Sequence, residues 1–103
     1  MIRLDTDRAK EFGFTSDKFE GWLWRQGDIV SISFIISKQP GRGNFLHMMR
    51  TIMGKGYTIH VPTPSARMRM ICEKLGATQK IIEDKMMGPV EIMEIQPIKQ
   101  EVT

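Results

Sequence analysis

The feature that most constrains the fold is a glycine-containing segment between a strand pattern and a helix pattern. Residues 29–37 (IVSISFIIS) alternate with a period of two, which is typical of a β-strand. Apolar residues then recur at helical spacing from position 45 to 53, and another strand pattern occupies residues 57–61. A strand, a helix and a second strand in this order form a right-handed crossover, so we expect these two strands to be parallel.

The segment before this unit predicts a short helix and a β-hairpin. Asp5 or Thr6 is a suitable N-cap for a helix that ends at Gly13. Residues 19–26 (FEGWLWRQ) and 29–37 flank the turn at 27–28, which predicts an antiparallel pair. A regular strand over 29–37 would place the following four side chains on one face: Val30, Ile32, Phe34 and Ile36.

The segment after the unit predicts a second helix and a closing hairpin. Thr63 is the expected N-cap and Pro64 the first helical residue, with Gly76 as the stop signal. The apolar stripe of that helix consists of Met68, Ile71, Cys72 and Leu75. Strands at 78–83 and 90–96 are joined around residues 87–89. The expected fold is an α/β domain over residues 1–103, with a central mixed sheet flanked by helices.

Composition restricts the class of protein. At 103 residues, 41% hydrophobic and 26% charged, the chain fits one soluble globular domain, and no apolar run is long enough for a membrane span. The first residues lack the character of an export signal, so we expect a cytoplasmic protein without a membrane partner. The single cysteine, Cys72, excludes an intrachain disulfide and a cysteine-rich zinc cluster, and no metal site is expected.

Positive charge is concentrated in the middle of the chain. Residues 38–77 contain seven basic residues and one acidic residue, a formal charge of +6, whereas eight basic and eleven acidic residues elsewhere sum to −3. Such a centre favours a polyanionic partner, either a phosphorylated cofactor or a nucleic acid. A solvated basic surface is the alternative.

The loop SKQPGRGNF at 37–45 has the character of an anion-binding turn. Gly41 and Gly43 lack β-carbons and precede the expected helix, whose N-terminus favours a phosphate. A dinucleotide-binding fingerprint would require glycine where Leu46 stands, and the Walker Gly-Lys-Ser/Thr sequence is absent. Both of these phosphate motifs are therefore excluded.

The loop and the block after it resemble the acyl-CoA motif of the GNAT N-acetyltransferase superfamily. That motif has Gln or Arg, two variable residues, Gly, one variable residue, and Gly or Ala. An apolar position follows after two further residues. Here Lys38 replaces the Gln or Arg, Gly41 and Gly43 match the two glycine positions, and Leu46 occupies the apolar position. The family's next block falls, by spacing, on Ser65, Met68, Cys72 and Gly76-Ala77. The resemblance covers residues 28–83, and the closing hairpin also suits the family.

The resemblance implies a GNAT-like fold, abbreviated at its N-terminus, that binds acetyl-CoA or another acyl-CoA. Its implied function is direct transfer of an acetyl group to the amine of an unidentified acceptor. A compact GNAT-fold binding or structural protein without catalysis is the alternative, and small GNAT-like proteins of bacteriophages are similar in size. The cofactor-binding positions that it implies are Ile36, Lys38, Gln39, Gly41, Arg42, Gly43, Asn44 and Ser65.

Two residues are candidates for proton transfer. Cys72 stands where the family often has a tyrosine that protonates the leaving thiolate, although a cysteine on an apolar stripe also suits inert packing. His60, at the end of the strand at 57–61, is the first candidate for a general base, and a hydrogen-bonded structural histidine is the alternative. Glu20 and Asp28 are weaker candidates, and His47 is expected to be solvated.

Aromatic residues cluster in the strand at 19–26. Phe19, Trp22 and Trp24 have only Arg25 as a nearby cation, so core or homodimer packing is favoured over stacking on nucleic-acid bases. A nucleic-acid-binding module remains the third hypothesis, resting on the basic centre.

Overall fold

The fold was obtained as a computed structural model, which describes residues 1–98; the last five residues of the predicted domain, 99–103, lie outside the described part. The elements, in chain order, are β1 (Ile2–Arg3), α1 (Asp7–Phe12), β2 (Phe19–Gln26), β3 (Ile29–Ser37), α2 (Asn44–Gly54), β4 (Thr58–Pro62), α3 (Ala66–Lys74), β5 (Thr78–Asp84) and β6 (Gly88–Ile95). Among residues 1–98, no helix is long and apolar enough to cross a bilayer.

The strands form one mixed sheet in the order β1-β2-β3-β4-β6-β5. β3 and β4 are parallel, as the crossover through α2 predicts, whereas the other neighbouring strands are antiparallel. The predicted class, helices against a mixed sheet, is therefore confirmed. β1, a two-residue edge strand beside β2, was not predicted from the sequence.

All three helices contribute to a single hydrophobic core on one face of the sheet. α1 provides Ala9 and Phe12, α2 provides its apolar stripe, and α3 provides Cys72. The buried residues of the α2 stripe are Phe45, Met48, Met49, Ile52 and Met53. Because no helix of the described chain covers the opposite face, we call it the open face.

A β-bulge in β3 reverses the direction of its side chains. Trp22 pairs with Phe34 while Trp24 pairs with Ser31, so two β3 residues, 32 and 33, lie opposite a single residue of β2. Before the bulge, Val30 and Ile32 are buried; after it, Phe34 and Ile36 are about half exposed, at 47% and 48%. The prediction that all four share one face was wrong because a regular period of two does not survive an inserted residue.

The exposed aromatic residues of β2 lie on the open face with Phe34. The rings of Trp22 and Phe34 stack with centroids 5.0 Å apart, and Trp24 is also exposed. Of the two expected kinds of packing, core packing is wrong for both tryptophans, and homodimer packing stays a prediction; Phe19 is fully buried. The other buried aromatic residues, which belong to the core on the helical side, are Phe12, Phe14 and Phe45.

α3 starts later than the sequence predicts. Its N-cap is Ser65, whose hydroxyl accepts a hydrogen bond from the N–H of Met68, and not Thr63. Thr63 instead donates its N–H to the carbonyl of Glu91, extending the pairing of β4 with β6, and has a φ of +39°. Because this backbone position continues the strand edge, the hydroxyl of Thr63 does not cap the helix. The N-cap of α1 is Thr6, one of the two predicted residues.

Candidate functional site: a cleft where two strands separate

The parallel strands β3 and β4 stay paired for only three residues each. Ile29 to Ser31 pair with Thr58 to His60, and the Ser31–His60 pair is the last. Beyond it, β4 continues along β6 while β3 runs on to Ser37 with β2 as its only strand neighbour among the described residues. We call this separation the fork. Its β3 side presents backbone N–H and C=O groups without a strand partner.

A cleft of about 600 Å³ lies at the fork on the helical side of the sheet. Its walls are the end of β3, the loop at 39–43, the first turn of α2 and one side of α3. α3 is held over β6 by a 2.6 Å ion pair between Arg69 and Glu91, with a further contact of 3.8 Å from Arg69 to the sulfur of Met93. These contacts attach α3 to β6, on the side of the cleft away from β3.

The floor of the cleft includes the N-terminus of α2. Gly43 is the N-cap, with a φ of +75° that a glycine adopts without strain, and it provides no side-chain cap. The first turn contains no acidic residue. The leading N–H groups of α2 therefore face the cleft with the positive end of the helix dipole and without a carboxylate to neutralise it.

One side of α3 adds two cations that the sequence interpretation missed. Arg67, Met70, Ile71 and Lys74 all line the cleft. They recur at i, i+3, i+4 and i+7, the spacing of a single helix face. This spacing is visible in the sequence, and Ile71 belongs both to this set and to the predicted apolar stripe of α3.

Most of the implied cofactor positions do line the cleft. These are Ile36, Gln39, Gly41, Gly43, Asn44 and Ser65. Lys38 and Arg42 are not among the lining residues. The ammonium of Lys38 donates a 2.7 Å hydrogen bond to the carbonyl of Ser16, which anchors the loop to the turn before β2. The cations beside the cleft are therefore those of α3.

Cys72 belongs to the hydrophobic core. Its side chain is completely buried and does not line the cleft, and desolvation raises the pKa of its thiol. The thiol thus stays protonated at neutral pH, but it has no exposed surface from which to donate a proton to a leaving group. The inert reading of this position, left open by the sequence, fits its surroundings.

His60 lies at the vertex of the fork, on the open face of the sheet. Its Nε2 lies 2.9 Å from Oε2 of Glu94, the residue directly opposite it on β6. A second cavity of about 450 Å³ opens on this face and is lined partly by Ser31, the neighbour of His60 across the pair, and by Trp24. The fork is thus flanked by two cavities, and His60 lies at the point where the strands part without lining either of them.

The other candidate bases are not brought to the fork. Glu20 is exposed opposite Ile36 on the hairpin, and Asp28 is exposed in the turn, where its carbonyl accepts the N–H of Thr58. His47 is exposed on α2, as expected. Within residues 1–98, no group of three or more His, Cys, Asp or Glu side chains is arranged to hold a metal ion.

Comparisons of the chain with protein-family models, with curated proteins and with solved structures gave no significant match.

Proposed function

We propose that this protein has a GNAT-like fold, binds an acyl-CoA in the cleft at the fork and transfers the acyl group to an amine. The observation that carries the proposal is the meeting of three features in one cleft: the uncapped N-terminus of α2, the unpaired side of β3 and the two cations of α3. These features are complementary to the parts of an acyl-CoA, which joins a pyrophosphate to an amide-containing arm and a thioester.

The residues present fit such a ligand. The N–H groups at Gly43 and Asn44 suit a pyrophosphate, because a helix N-terminus favours negative charge and neither glycine of the loop places a β-carbon in the way. Arg67 and Lys74 add charge on the opposite wall. The unpaired backbone of β3 beyond Ser31 suits an extended amide-containing arm, in the manner of an added strand.

The chemistry is direct acyl transfer. An acyl-CoA supplies a thioester carbonyl, and the acceptor amine approaches from the open face, where the second cavity meets the fork. His60 is the base that we assign to the amine proton, because it occupies the vertex. Cys72 is assigned to the core, so the leaving thiolate takes its proton from solvent or from His60.

Calorimetric titration with acetyl-CoA tests the proposal. Wild type is expected to bind, and Gly43→Asp is expected to lose at least about tenfold in affinity because the new carboxylate repels phosphate at the helix N-terminus. Gly56→Asp is the matched control, since Gly56 also has a positive φ and open space around it but lies at the other end of α2. No binding by wild type would overturn the proposal, and equal loss in both variants would remove the loop from the site.

A GNAT-fold binding protein without catalysis is the second candidate. The observation that favours it is the burial of Cys72, which leaves the described cleft without a side-chain acid at the family's tyrosine position. This candidate predicts acetyl-CoA binding with no release of free thiol, whereas the transferase predicts both. Strongly salt-dependent binding to DNA without any affinity for acetyl-CoA would instead favour the nucleic-acid hypothesis.

A further inference from the structure

A buried carboxylate on β6 joins three neighbouring side chains. Oε2 of Glu94 contacts Nε2 of His60 at 2.9 Å, while Oε1 accepts hydrogen bonds from Nζ of Lys80 at 2.8 Å and from Nε2 of Gln96 at 2.7 Å. Only 10% of the Glu94 side chain and 15% of the His60 side chain are exposed. Within residues 1–98, Glu94 is the only charged residue that is buried.

Glu94 is ionised at neutral pH. The hydrogen bond from Lys80 lowers the pKa of Glu94, burial opposes this, and the hydrogen bond with His60 and the nearby positive charges lower it further. An ionised carboxylate only accepts hydrogen bonds. The proton shared by His60 and Glu94 is therefore carried by Nε2 of the imidazole.

This assignment also determines the protonation state of the second ring nitrogen of His60, Nδ1. A neutral imidazole has one N–H and one lone pair, so a ring that donates through Nε2 has its lone pair on Nδ1. Among residues 1–98, Nδ1 has no hydrogen-bond partner, and no buried side-chain nitrogen or oxygen is left without one, so Nδ1 retains contact with solvent. The free lone pair thus belongs to a histidine at the vertex of the fork.

A purely stabilising role is a weak explanation for this arrangement. Removing a carboxylate from water costs free energy that its hydrogen bonds and the attraction of the exposed Lys80 recover only in part, so the arrangement contributes little net stability. The interior of β6 would accept an apolar residue at position 94, as it does at Ile92 and Ile95. The carboxylate stands directly beside the one histidine at the point where β3 and β4 separate.

We propose that Glu94 is a positioning residue which, held in turn by Lys80, fixes His60 in the Nε2–H tautomer so that Nδ1 accepts the proton of the acceptor amine. This inference rests on the proposed function. In the step concerned, the amine nitrogen bonds to the thioester carbonyl carbon, the carbon–sulfur bond breaks with release of thiolate, and the amine proton moves to Nδ1. The resulting imidazolium is stabilised by the Glu94 carboxylate.

Nitrogen-15 NMR of histidine-labelled protein tests the positioning without requiring activity. At a pH where the imidazole is neutral, wild type is expected to show His60 as a single Nε2–H tautomer. Glu94→Gln is expected to lose that single-tautomer signature, because an amide also offers a donor to Nε2. Glu91→Gln is the matched control: Glu91 lies on the same strand and pairs with Arg69, so the spectrum of His60 is expected to be unchanged.

Release of thiol from acetyl-CoA, measured with a panel of primary amines and with water alone, tests the catalytic consequence. Glu94→Gln is expected to lower kcat at least about tenfold with an unchanged KM for acetyl-CoA, because general-base catalysis contributes about a hundredfold or more.

An Nδ1–H tautomer in wild type, or an unchanged tautomer in Glu94→Gln, would overturn the inference even if acetyl-CoA binds. Failure of wild type to bind acetyl-CoA would overturn the proposed function, and with it the catalytic role, while leaving the tautomer result as it was measured. Binding without thiol release would overturn the transferase activity and favour the binding protein without catalysis. Equal kcat in wild type and Glu94→Gln would overturn the base assignment alone.

Discussion

A β-carbon placed on Gly21 would lie 2.0 Å from the carbonyl oxygen of Phe34, the residue after the bulge in β3. Gly21 also has a φ of +117°, a backbone conformation that side chains disfavour. The hairpin that carries one wall of the cleft therefore depends on glycine at this position, since the obstructing atom belongs to the backbone and does not rotate away.

Gly21→Ala is accordingly expected to lower the free energy of unfolding by at least ~2 kcal/mol, through steric overlap and backbone strain. Urea denaturation followed by tryptophan fluorescence measures the change. Gly54→Ala is the control, because Gly54 ends α2 with open space around it and an ordinary φ. There, alanine is expected to be neutral or to add up to about 1 kcal/mol. Similar values for the two variants would contradict the close approach at the bulge.

The cations of α3 are expected to contribute more to acyl-CoA binding than those of the loop. Arg67→Ala with Lys74→Ala should weaken acetyl-CoA about fivefold, given roughly 0.5 kcal/mol for each exposed charge contact. Lys38→Ala with Arg42→Ala should change the affinity less than twofold, because these two side chains do not line the cleft. Calorimetric titrations of the two double variants at low and high salt test this prediction. The difference between their acetyl-CoA affinities should shrink at high salt, because salt screens the charges. A larger loss for the Lys38 and Arg42 variant would show that the side chains of the loop, and not those of α3, contact the phosphates.

The start of α3 gives a comparison between two hydroxyl residues. Ser65→Ala removes the hydroxyl that accepts from Met68 and is expected to cost about 1 kcal/mol of stability. Thr63→Ala removes no cap and should change the free energy of unfolding by less than about 0.5 kcal/mol. Thermal and urea unfolding of both variants measure these effects. A larger loss for Thr63→Ala would favour the helix start expected from sequence.

The turn between β5 and β6 is stabilised by the ionised form of Asp84, so its stability is expected to fall at acidic pH. The N–H groups of Met86 and Met87 donate to Oδ1 of Asp84 at 2.8 and 3.0 Å, and they lower the pKa of this carboxyl below its ordinary value of 3.8. A lowered folded-state pKa means that the stabilisation is complete above pH 3.8 and is lost as the pH falls through the folded value.

The amide shifts of Met86 and Met87 should therefore titrate with a midpoint below 3.8 in wild type. Asp84→Asn keeps an acceptor oxygen at this position and should remove the titration while leaving the turn intact. A midpoint at or above 3.8 would show that these hydrogen bonds do not hold the carboxylate in the folded state.

The order of elements was predictable from sequence because periodicity and turn residues are local signals. The alternation of 29–37, the helical spacing after Phe45 and the glycine stops all depend on neighbours along the chain. The bulge is different: it depends on which residue of β2 faces Ile32 and Ser33 across the hairpin, and nothing within β3 itself reveals the inserted residue. The exposure of Phe34 and Ile36 after the bulge could therefore not be predicted from the sequence.

The candidate site divides in the same way. The glycines of the loop were recognised from spacing, and their place beside the cleft follows from the strand and helix on either side. Glu94 was missed because its partner His60 is 34 residues away, and only the sheet order β4-β6-β5 brings Lys80 to the same carboxylate. The one available signal was the position of the second acid in EIMEI at 91–95, because Glu94 lies between the apolar residues Met93 and Ile95, which are buried.

The short parallel pairing at the fork also bears on how the chain folds. β1 to β3 and β4 to β6 form two half-sheets, and the ladder between them consists of three residue pairs, with 29 positions separating partners such as Ile29 and Thr58. Closing a loop of this length costs chain entropy that a local hairpin does not, and the same holds for β4 and β6, which pair Ile59 with Ile95. Both junctions are therefore expected to form after the hairpins β2–β3 and β5–β6. A molecule bound across the fork would contact both half-sheets, and mass action would then make its binding stabilise the short ladder that joins them.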